Sequence, residues 1–402
     1  RSHPKEGSFH PETETMNAPQ KKLSILLFSP YYPPHIGGLE SHADEFNKHL
    51  SRRGASIVVF TPHLPNSAPE TEVVHNSVNV IRFPAFEIIH NYPVPKFWSV
   101  RFWHLFLPIF REHYDIVISR TRFFFLSFIA LIYAKCTQTY WVHVEHGSDF
   151  VKLSSRVKTF IAKLYDYTIG RLIFRCSDLN ISISKAVQIF VQKFDKRHSP
   201  VIYRGIDFDQ LDTIQPNEAF RQKFANKIII GTVARLYKWK GIEYSIEAIK
   251  SLPEDIKSEI VFIIIGDGED FDRLRKLCDN NSIYMLGNLP REKVLSIVKT
   301  FDIYIHSSLP GGGLSTSLLE AMYCGCAVIA TPHEGADEVV HDGRNGLLIK
   351  SKSPTSTQAA IKNLIKDKAM RTSQGENAHR DILKQFSWKR SIQQYTSLLK
   401  II

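Results

Sequence analysis

The sequence predicts an α/β protein of two Rossmann-like, doubly wound domains that face each other across a cleft. Three observations lead to this prediction. The chain has 402 residues, which is more than one hydrophobic core usually organises. Short β-branched runs alternate with helical patterns, as is typical of βαβ units and parallel sheets. This alternation occurs twice, with a polar segment between the two series, so one sheet is expected in each half.

The first domain is predicted to span residues 17–205. Its first helix should end at Gly54, because glycine commonly terminates helices. The apolar face of that helix, at a spacing of 3.6 residues, is formed by Leu39, Ala43, Phe46 and Leu50. The expected strands are residues 23–29, 56–61, 79–83, 115–119, 140–145, 179–182 and 201–203.

The second domain is predicted to span residues 206–386, after a polar connector at 207–217. Residues 387–402 are amphipathic and belong to neither series, so a terminal helix that crosses back to the first domain is one interpretation. The expected strands are residues 228–233, 260–265, 283–286, 303–306, 327–330 and 346–349. Ligands bind at the carboxyl ends of parallel sheets, so the active site is expected between the two domains.

The composition excludes several classes of protein. Residues 1–16 lack an apolar region, so they are expected to be a disordered tail or a cloning remnant rather than a signal peptide. The five cysteines are scattered without a CxxC pair, which argues against a disulfide framework or a zinc site and favours a reducing cytosol. The longest apolar run, residues 123–134, should be a buried helix, because roughly 20 residues are needed to span a bilayer.

The net charge of +11 indicates nucleic acid, an anionic membrane surface or a phosphate-bearing substrate as partner. No nucleic-acid recognition motif is present, so no nucleic-acid partner is predicted. The segment 96–114 mixes Trp, Phe and Arg like an interfacial segment, although a core-facing helix and loop fits it equally well. A solvated basic surface also stays open. The predicted location is the cytoplasm, with peripheral membrane association.

The segment 307–322, SSLPGGGLSTSLLEAM, runs from a glycine-rich loop into an apolar helix. Unpaired N–H groups and the positive end of the helix dipole make such a junction a cradle for a phosphate or diphosphate. Glu320, one turn into the helix, could accept sugar hydroxyls. The segment therefore suggests a nucleotide-sugar site.

Two other loops are expected to complete this site. Gly37 and Gly38 follow the first strand and would let the backbone approach a phosphate. Arg235 and Lys240 follow the first strand of the second domain, and a guanidinium with an ammonium suits a diphosphate leaving group. A tight turn and two surface cations are the alternative interpretations.

The order of these motifs resembles that of the retaining glycosyltransferases of family four, which have the two-domain GT-B fold. The resemblance extends from about Leu23 to the terminal helix. It rests on seven motifs: PPHIGGLESH, EHG, YRGID, ARLYKWKG, IIIGDGED, MLGNLP and GGLSTSLLEAMYCGCAVIAT.

The resemblance implies a role for each motif. Arg235 and Lys240 would hold the donor diphosphate, and Glu320 would bond the ribose. His146 would lie near the donor sugar, and Gly37 and Gly38 would border the diphosphate and the acceptor. The backbone of the glycine-rich loop and of the helix start would bind phosphate. Gly266, Met285 and Leu286 would flank the base. The predicted donor-binding set is completed by Gly266, Met285, Leu286, Gly312, Gly313, Leu314, Ser315, Thr316, Ser317 and Leu318.

The chain also departs from the family pattern. Gly312 stands where the family usually has the first of two glutamates, so the sugar side lacks that carboxylate. Backbone N–H groups, another acid or a loss of activity could account for this, and Glu145 is a conceivable substitute or a plain strand-edge residue. His306 stands where the family often has proline. Arg204 replaces a frequent asparagine, and a solvated linker residue is favoured over a cation near the cleft.

No metal or other cofactor is predicted. The acidic pairs at 207–209 and 270–272 have the spacing of a metal-binding DxD motif, but helix capping and turn formation explain them better. The GDG of residues 266–268 is only a fragment of a dinucleotide fingerprint, so NAD binding is not expected.

The resulting functional hypothesis is metal-independent transfer of a sugar, with retention, from a nucleoside-diphosphate donor to an acceptor hydroxyl. The acceptor is expected to be a glycan, lipid-linked or at a membrane surface. Two alternatives remain: a nucleotide-sugar epimerase or hydrolase of the same fold, and a non-catalytic sugar-nucleotide binding protein suggested by Gly312.

Overall fold

The computed structural model describes residues 22–35, 37–89, 92–151, 155–279, 281–310 and 313–399. The predicted tail, Gly312 and the last residues of the chain lie outside this part. The described chain forms two α/β domains, each built around a sheet of mainly parallel strands. This is the architecture that the two alternating series predicted.

The first domain contains a seven-stranded sheet with the order β3-β4-β2-β1-β7-β8-β9, in which β3 is antiparallel to its neighbour and the other pairs are parallel. A separate hairpin is formed by β5 and β6. The strands are β1 (Ser24–Phe28), β2 (Ser56–Pro62), β3 (Thr71–Val74), β4 (Val78–Phe83), β5 (Ala85–Ile89), β6 (Tyr92–Pro95), β7 (Ile116–Arg120), β8 (Tyr140–Glu145) and β9 (Leu179–Ser182).

Helices cover both faces of this sheet. They are α1 (Gly38–Ser51), α2 (Val100–Arg111), α3 (Phe125–Thr137), α4 (Arg156–Tyr165), α5 (Arg171–Cys176) and α6 (Lys185–Gln192). A π-helical turn, Asp166–Gly170, joins α4 to α5. Strands β1 and β7 are buried at nearly every position, as expected for central strands with helices on both sides.

The second domain has a parallel six-stranded sheet with the order β12-β11-β10-β13-β14-β15. Its strands are β10 (Ile228–Val233), β11 (Ile260–Ile265), β12 (Ile283–Gly287), β13 (Ile303–His306), β14 (Ala327–Ala330) and β15 (Leu347–Leu348). The helices from the connector onward are α7 (Phe208–Thr213), α8 (Glu218–Lys223), α9 (Ile242–Lys250), α10 (Glu254–Ser258), α11 (Phe271–Arg275), α12 (Arg291–Val298), α13 (Thr316–Tyr323), α14 (Ala336–Val339), α15 (Pro354–Lys366), α16 (Lys368–Gln385) and α17 (Trp388–Leu398).

The strand orders reverse beside the first strand of each sheet. In the first domain the chain runs outward from β1 through β2 and β4, and then returns to build β7, β8 and β9 on the other side. In the second domain the same reversal lies between β10 and β13. Doubly wound sheets bind ligands at the carboxyl ends of the strands on either side of such a switch point.

The terminal helix α17 packs on the first domain although it follows the second in sequence. Trp388, Ile392 and Tyr395 are buried in the core that also contains Phe46 of α1. Gly205, at the crossing from the first domain, lies against Trp388. The chain therefore crosses between the domains twice at the same place.

One local expectation was wrong. Residues 201–203 form a single bridge, between Val201 and Ser182, rather than a strand. The predicted connector at 207–217 contains the short helix α7, which Asp207 caps, and it ends at Asn217, which caps α8. Strands β3, β5 and β6 were not predicted, since their sequences carry prolines and exposed charges.

Candidate active site

Both switch points bring predicted site residues together. At the first, β1 leads through Gly37 into α1, and β7 ends at Arg120. At the second, β10 leads to Arg235, and β13 leads through the glycine-rich loop to α13. The two sets of loops face each other across the interdomain cleft.

The start of α13 is tied to the end of β10. The Ser317 hydroxyl donates a hydrogen bond to the Val233 carbonyl oxygen over 2.8 Å, and Tyr304 donates to the same oxygen over 3.1 Å. Ser315 occupies the N-cap position but its side chain accepts no backbone N–H. The first turn therefore has N–H donors that its own cap residue leaves available for an anion.

The other residues of this loop play different parts. Leu314 and Leu318 are buried in the core of the second domain, so only their backbone could reach a phosphate. Gly313 touches the first domain: a Cβ there would lie 2.5 Å from the His146 carbonyl oxygen and 3.0 Å from Ile183 Cδ1. A larger residue at 313 would therefore push the domains apart.

Arg235 also reaches the first domain. A Cβ placed on Gly37 would lie 2.3 Å from Glu40 Oε2 and 2.5 Å from Arg235 Nη2, whereas one on Gly38 would meet nothing within 4 Å. A side chain at position 37 would therefore collide with both the Glu40 carboxylate and the Arg235 guanidinium.

Lys240 lies on a 3₁₀ turn, Lys238–Lys240, beside the glycine-rich loop. Its Nζ is 2.8 Å from Glu334 Oε2 and 3.3 Å from Ser308 Oγ. The Glu334 side chain is fully buried, so the ammonium group of Lys240 is paired with a carboxylate that solvent does not reach. Sequence reasoning missed Glu334, because only the fold brings the loop after β14 under Lys240.

Glu320 pairs with an arginine that the sequence analysis did not single out. Arg291 Nη2 lies 2.5 Å from Glu320 Oε1, and Glu320 is almost fully buried while Arg291 is half exposed. The carboxylate lies one turn inside α13. Arg291 begins α12, directly after the predicted base-flanking strand.

The residues predicted to flank the base lie at the carboxyl ends of β11 and β12. Met285 and Leu286 belong to β12 and are half-buried. Gly266 follows β11, and its N–H donates to the Gly287 carbonyl oxygen over 2.9 Å. These residues share the edge of the sheet with Arg235.

His146 follows β8 and is half-buried, but its Nε2 is buried without a hydrogen-bond partner. Burial, and then the Arg120 guanidinium, lower the pKa of His146 to about 3. The ring therefore stays neutral at physiological pH. It lies edge-on to the His42 ring, with 5.2 Å between centroids.

Glu145 is not a substitute for the missing carboxylate. It is fully buried, and its oxygens accept hydrogen bonds from the backbone N–H groups of His146 and Gly147 over 2.9 and 2.7 Å. It also pairs with Arg122 over 3.1 Å. Burial alone would raise its pKa, but Arg122 and His143 lower the pKa of Glu145 to about 2. Its role is to hold the loop that carries His146.

Arg204 is not the solvated linker residue that the sequence favoured. It is 8% exposed, and Nη1 donates to the Gly38 carbonyl oxygen over 3.2 Å and to Thr316 Oγ1. Burial lowers the pKa of Arg204 to about 10, still far above neutrality. A permanent cation therefore joins the two domains at the start of α13, and no carboxylate of the described residues forms an ion pair with it.

The acidic pairs have structural roles. Asp207 caps α7 by accepting from the Gln210 N–H, and Asp270 pairs with Arg273 over 2.6 Å. Across the ranges that the structure describes, no group of three His, Cys, Asp or Glu side chains could hold a metal ion. Within the same ranges, no helix is long and apolar enough to cross a bilayer.

Comparison with known proteins places this geometry in a family. The model named Glycosyltransferase Family 4 matches residues 36–210, and the model named Glycosyl transferases group 1 matches residues 214–381. An uncharacterized glycosyltransferase of Methanocaldococcus jannaschii is 46% identical over 94% of this chain and 99% of its own length. The chain belongs to glycosyltransferase family 4.

A more distant relative of this glycosyltransferase comes from yeast. The GPI3 subunit of phosphatidylinositol N-acetylglucosaminyltransferase from Saccharomyces cerevisiae is 24% identical, with 94% of this chain and 83% of the subunit covered.

Solved GT-B structures have the same fold as this glycosyltransferase. A sucrose-phosphate synthase from Thermosynechococcus elongatus aligns with a TM-score of 0.79 and 17% identity, over 94% of this chain and 98% of its own. The Anabaena protein HepE, crystallised with UDP and glucose, aligns with a TM-score of 0.71 and 21% identity, over 94% and 100%. The fold class inferred from the sequence is thereby confirmed.

Proposed function

We propose that this glycosyltransferase moves a sugar from a nucleoside-diphosphate donor to the hydroxyl of a lipid-linked glycan acceptor, with retention and without a metal. The observation that carries the proposal is that Arg235 and Lys240 follow β10 and that α13 follows the neighbouring parallel strand β13, so all three lie at the same edge of the sheet. A nucleoside diphosphate is the ligand whose charge this arrangement matches. The protein is proposed to work in the cytoplasm, peripherally associated with a membrane.

The donor diphosphate would lie between the second-domain loops. Backbone N–H groups of Thr316 and Ser317 would take phosphate oxygens at the helix start, and Glu320 would bond the ribose. Structural neighbours crystallised with UDP, with and without glucose, support a nucleotide-sugar donor of this kind.

Catalysis would depend on the charge that develops as the diphosphate leaves. Arg235, Lys240 and the helix dipole supply fixed positive charge where a divalent cation would otherwise be needed. Arg204 adds a third cation beside Thr316. Closure of the first domain onto these loops would exclude water and so favour transfer over hydrolysis.

The sugar and acceptor would meet on the first-domain side. Neutral His146 offers a ring nitrogen without a protein partner, which suits hydrogen bonding to a sugar hydroxyl. The name of the yeast relative, a phosphatidylinositol N-acetylglucosaminyltransferase, supports a lipid-linked acceptor. Retention follows the family resemblance.

The diphosphate site can be tested by Arg235→Ala and Lys240→Ala, with Lys238→Ala as the matched control. Lys238 is an exposed cation on the same turn, so its loss changes the net charge equally. Each site variant should weaken UDP binding by calorimetry about tenfold or more, since charge-assisted bonds contribute roughly 1.5–3 kcal/mol. Unchanged affinity in both would refute this site.

Turnover separates the proposed transferase from its alternatives. Purified protein is incubated with UDP-sugars, a lipid extract and EDTA, and the anomeric configuration of the product is read by NMR. An α-linked product from an α-linked donor supports retaining transfer. Free sugar or an epimer would indicate a hydrolase or epimerase, and donor binding without any turnover would indicate a binding protein.

A further inference from the structure

Helix α4 presents its apolar stripe to solvent. Val157, Phe160, Ile161 and Leu164 follow the spacing of one helix face, yet their exposed fractions lie between 54% and 68%. The buried residue of this helix is Ala162, on the opposite side. A surface helix normally turns such a stripe towards the core. In α4, both the apolar stripe and the charged side chains are exposed to solvent.

Helix α2 has an exposed stripe as well. Phe102, Phe106 and Ile109 pack into the core, while Val100, Trp103 and Leu107 lie on the solvent side. Trp98, just before the helix, is 72% exposed. The core-facing interpretation of the segment 96–114 therefore holds for one face of α2, and the other face is exposed to solvent.

Aromatic contacts lead from each of these two helices to the segment 123–125. At the α4 end, Tyr165 contacts Phe123 with ring centroids 6.1 Å apart. At the α2 end, Phe97 contacts Phe125 over 5.7 Å and Trp103 over 6.5 Å. Phe123 precedes α3, and Phe125 begins it. The exposed apolar side chains of α2 and α4, with this aromatic link, are called the basic apolar face below.

The helices of the face carry only basic charged side chains. Helices α2, α3, α4 and α5 contain no Asp or Glu. Arg156, Lys158 and Lys163 lie exposed on α4, and Arg171 follows on α5. Two acids lie beside α2: Glu70 pairs with Arg101, and Glu112 follows the helix. Large exposed apolar patches mark interaction sites, and the charge that borders this patch is mainly positive.

We propose that the basic apolar face docks onto an anionic lipid bilayer. Aromatic and aliphatic side chains would enter the headgroup boundary, while the flanking lysines and arginines pair with lipid phosphates. A second copy of this chain fits less well, because a two-fold interface would place cations against cations. The charge of the face thus selects the membrane over self-association.

The face lies next to the cleft. Phe124, at the start of α3, contacts the Tyr31 ring over 6.1 Å, and Tyr31 belongs to the loop that leads to Gly37. Helix α4 begins shortly after His146, on the loop held by Glu145. A docked protein would therefore hold its cleft near the headgroups. This presentation of a lipid-linked acceptor rests on the proposed function, whereas docking itself does not.

The test is flotation of the full chain with vesicles, in the absence of donor. Vesicles of phosphatidylcholine alone are compared with vesicles containing about 30% phosphatidylglycerol. Wild type should bind the anionic vesicles, and about 0.5 M salt should weaken this binding by screening. The variant V157S/F160S/I161S/L164S should lower the apparent affinity about tenfold or more, because the apolar area available for insertion is lost.

The control variant is V73S/L383S, which removes exposed apolar side chains outside the face. It should bind vesicles like wild type. A second face variant, R156Q/K158Q, keeps the apolar stripe and should lose the preference for anionic vesicles. The test therefore does not depend on the correct folding of a single variant. Equal binding by wild type and both face variants would overturn the proposal.

Two further outcomes also decide the matter. A dimer in light scattering that V157S/F160S/I161S/L164S abolishes, without vesicle binding by wild type, would assign the face to contact between copies and refute the proposal. Transfer to a water-soluble acceptor should persist in the face variants. If vesicles bind but no transfer to any acceptor occurs, the proposed function fails and the docking inference stands.

Discussion

At the scale of single residues, the site is defined by contacts that cross from one domain to the other. Arg235 approaches Gly37, Gly313 approaches the His146 carbonyl, and Arg204 bridges Gly38 and Thr316. Each contact involves a small residue or a backbone oxygen on one side. The Arg204 side chain can therefore lie buried between the domains, where a bound anion would be little screened by water.

Arg204→Asn tests whether the buried arginine serves ligand binding. A buried cation without a carboxylate partner is costly to the free protein, so its removal should change the free energy of unfolding by no more than about 1–2 kcal/mol. Donor affinity should fall about tenfold, because a cation beside the diphosphate is lost. Calorimetry with UDP and chemical denaturation measure the two effects.

Arg197→Asn is a suitable comparison for that variant. Arg197 is half exposed and pairs with Asp195, away from the cleft. A substitution there should leave UDP affinity unchanged. If Arg204→Asn lowered stability strongly while leaving affinity intact, Arg204 would be a structural bridge and not a donor-site residue.

At the scale of elements, the two domains are joined by a helix cap that comes from the opposite domain. Glu338 of α14 accepts hydrogen bonds from the Lys185 and Ala186 N–H groups, each over 2.8 Å, at the start of α6. Tyr203 donates to the same carboxylate over 2.7 Å. A carboxylate at a helix N-terminus accepts hydrogen bonds from N–H groups that lack partners within the helix, and it interacts favourably with the helix dipole. This contact therefore helps to hold the two domains together.

Glu338→Ala should loosen this contact. We expect a loss of about 1–2 kcal/mol in the free energy of unfolding, as for removal of a helix cap, and a larger radius of gyration by X-ray scattering. Neighbouring Asp337→Ala is the control, because Asp337 is exposed. An unchanged radius with Glu338→Ala would mean that other contacts hold the domains together.

At the scale of the whole molecule, both domains bury neutral histidines. Burial lowers the pKa of His146 to about 3 and that of His306 to about 4, from a usual value of 6.5. Burial also holds the pKa of His42 well below that value. Around His306 lie Glu334, which opposes this shift, and Lys240, which adds to it.

These shifts predict that the protein loses stability in mild acid. Below pH 6.5 the unfolded chain takes up protons that the folded chain does not, so the free energy of unfolding falls as pH decreases towards the folded-state values. At about pH 5 each such histidine should cost up to about 2 kcal/mol. Denaturation curves between pH 7 and 5 measure the slope.

His306→Asn should reduce that slope, since one titrating group is removed. His198→Asn is the control, because His198 is exposed. If the free energy of unfolding of both variants changes with pH as it does in wild type, His306 does not titrate differently in the folded and unfolded chains.

The sequence predicted most of the sheet strands because buried parallel strands are short, β-branched runs with clear ends. Strands 140–145, 179–182, 228–233 and 260–265 have the predicted limits. The hairpin of β5 and β6 was missed, because its pattern is interrupted by prolines and its pairing depends on packing. The loops of the candidate site were predicted because they follow strands at the sheet edge, where parallel sheets bind ligands.

Side-chain partners were beyond prediction. Glu334, Glu338 and Arg291 lie far in sequence from Lys240, Lys185 and Glu320, and no local pattern pairs them. Arg204 was interpreted as a solvated linker residue because it lies close to the polar connector, yet the fold buries it. Gly312 stays a sequence observation, since it lies outside the described residues.

The sequence by itself determined the two α/β domains, the glycine-rich loop before α13 and the residue types that suit a diphosphate. These follow from local periodicity and from chemistry carried by short segments. Only the tertiary structure decided that Arg204 is a bridge, that Glu145 is a structural acid and that the stripe of α4 faces solvent. The physical reason is that burial and pairing depend on which distant segments pack together, whereas strand and loop signals are carried by neighbouring residues.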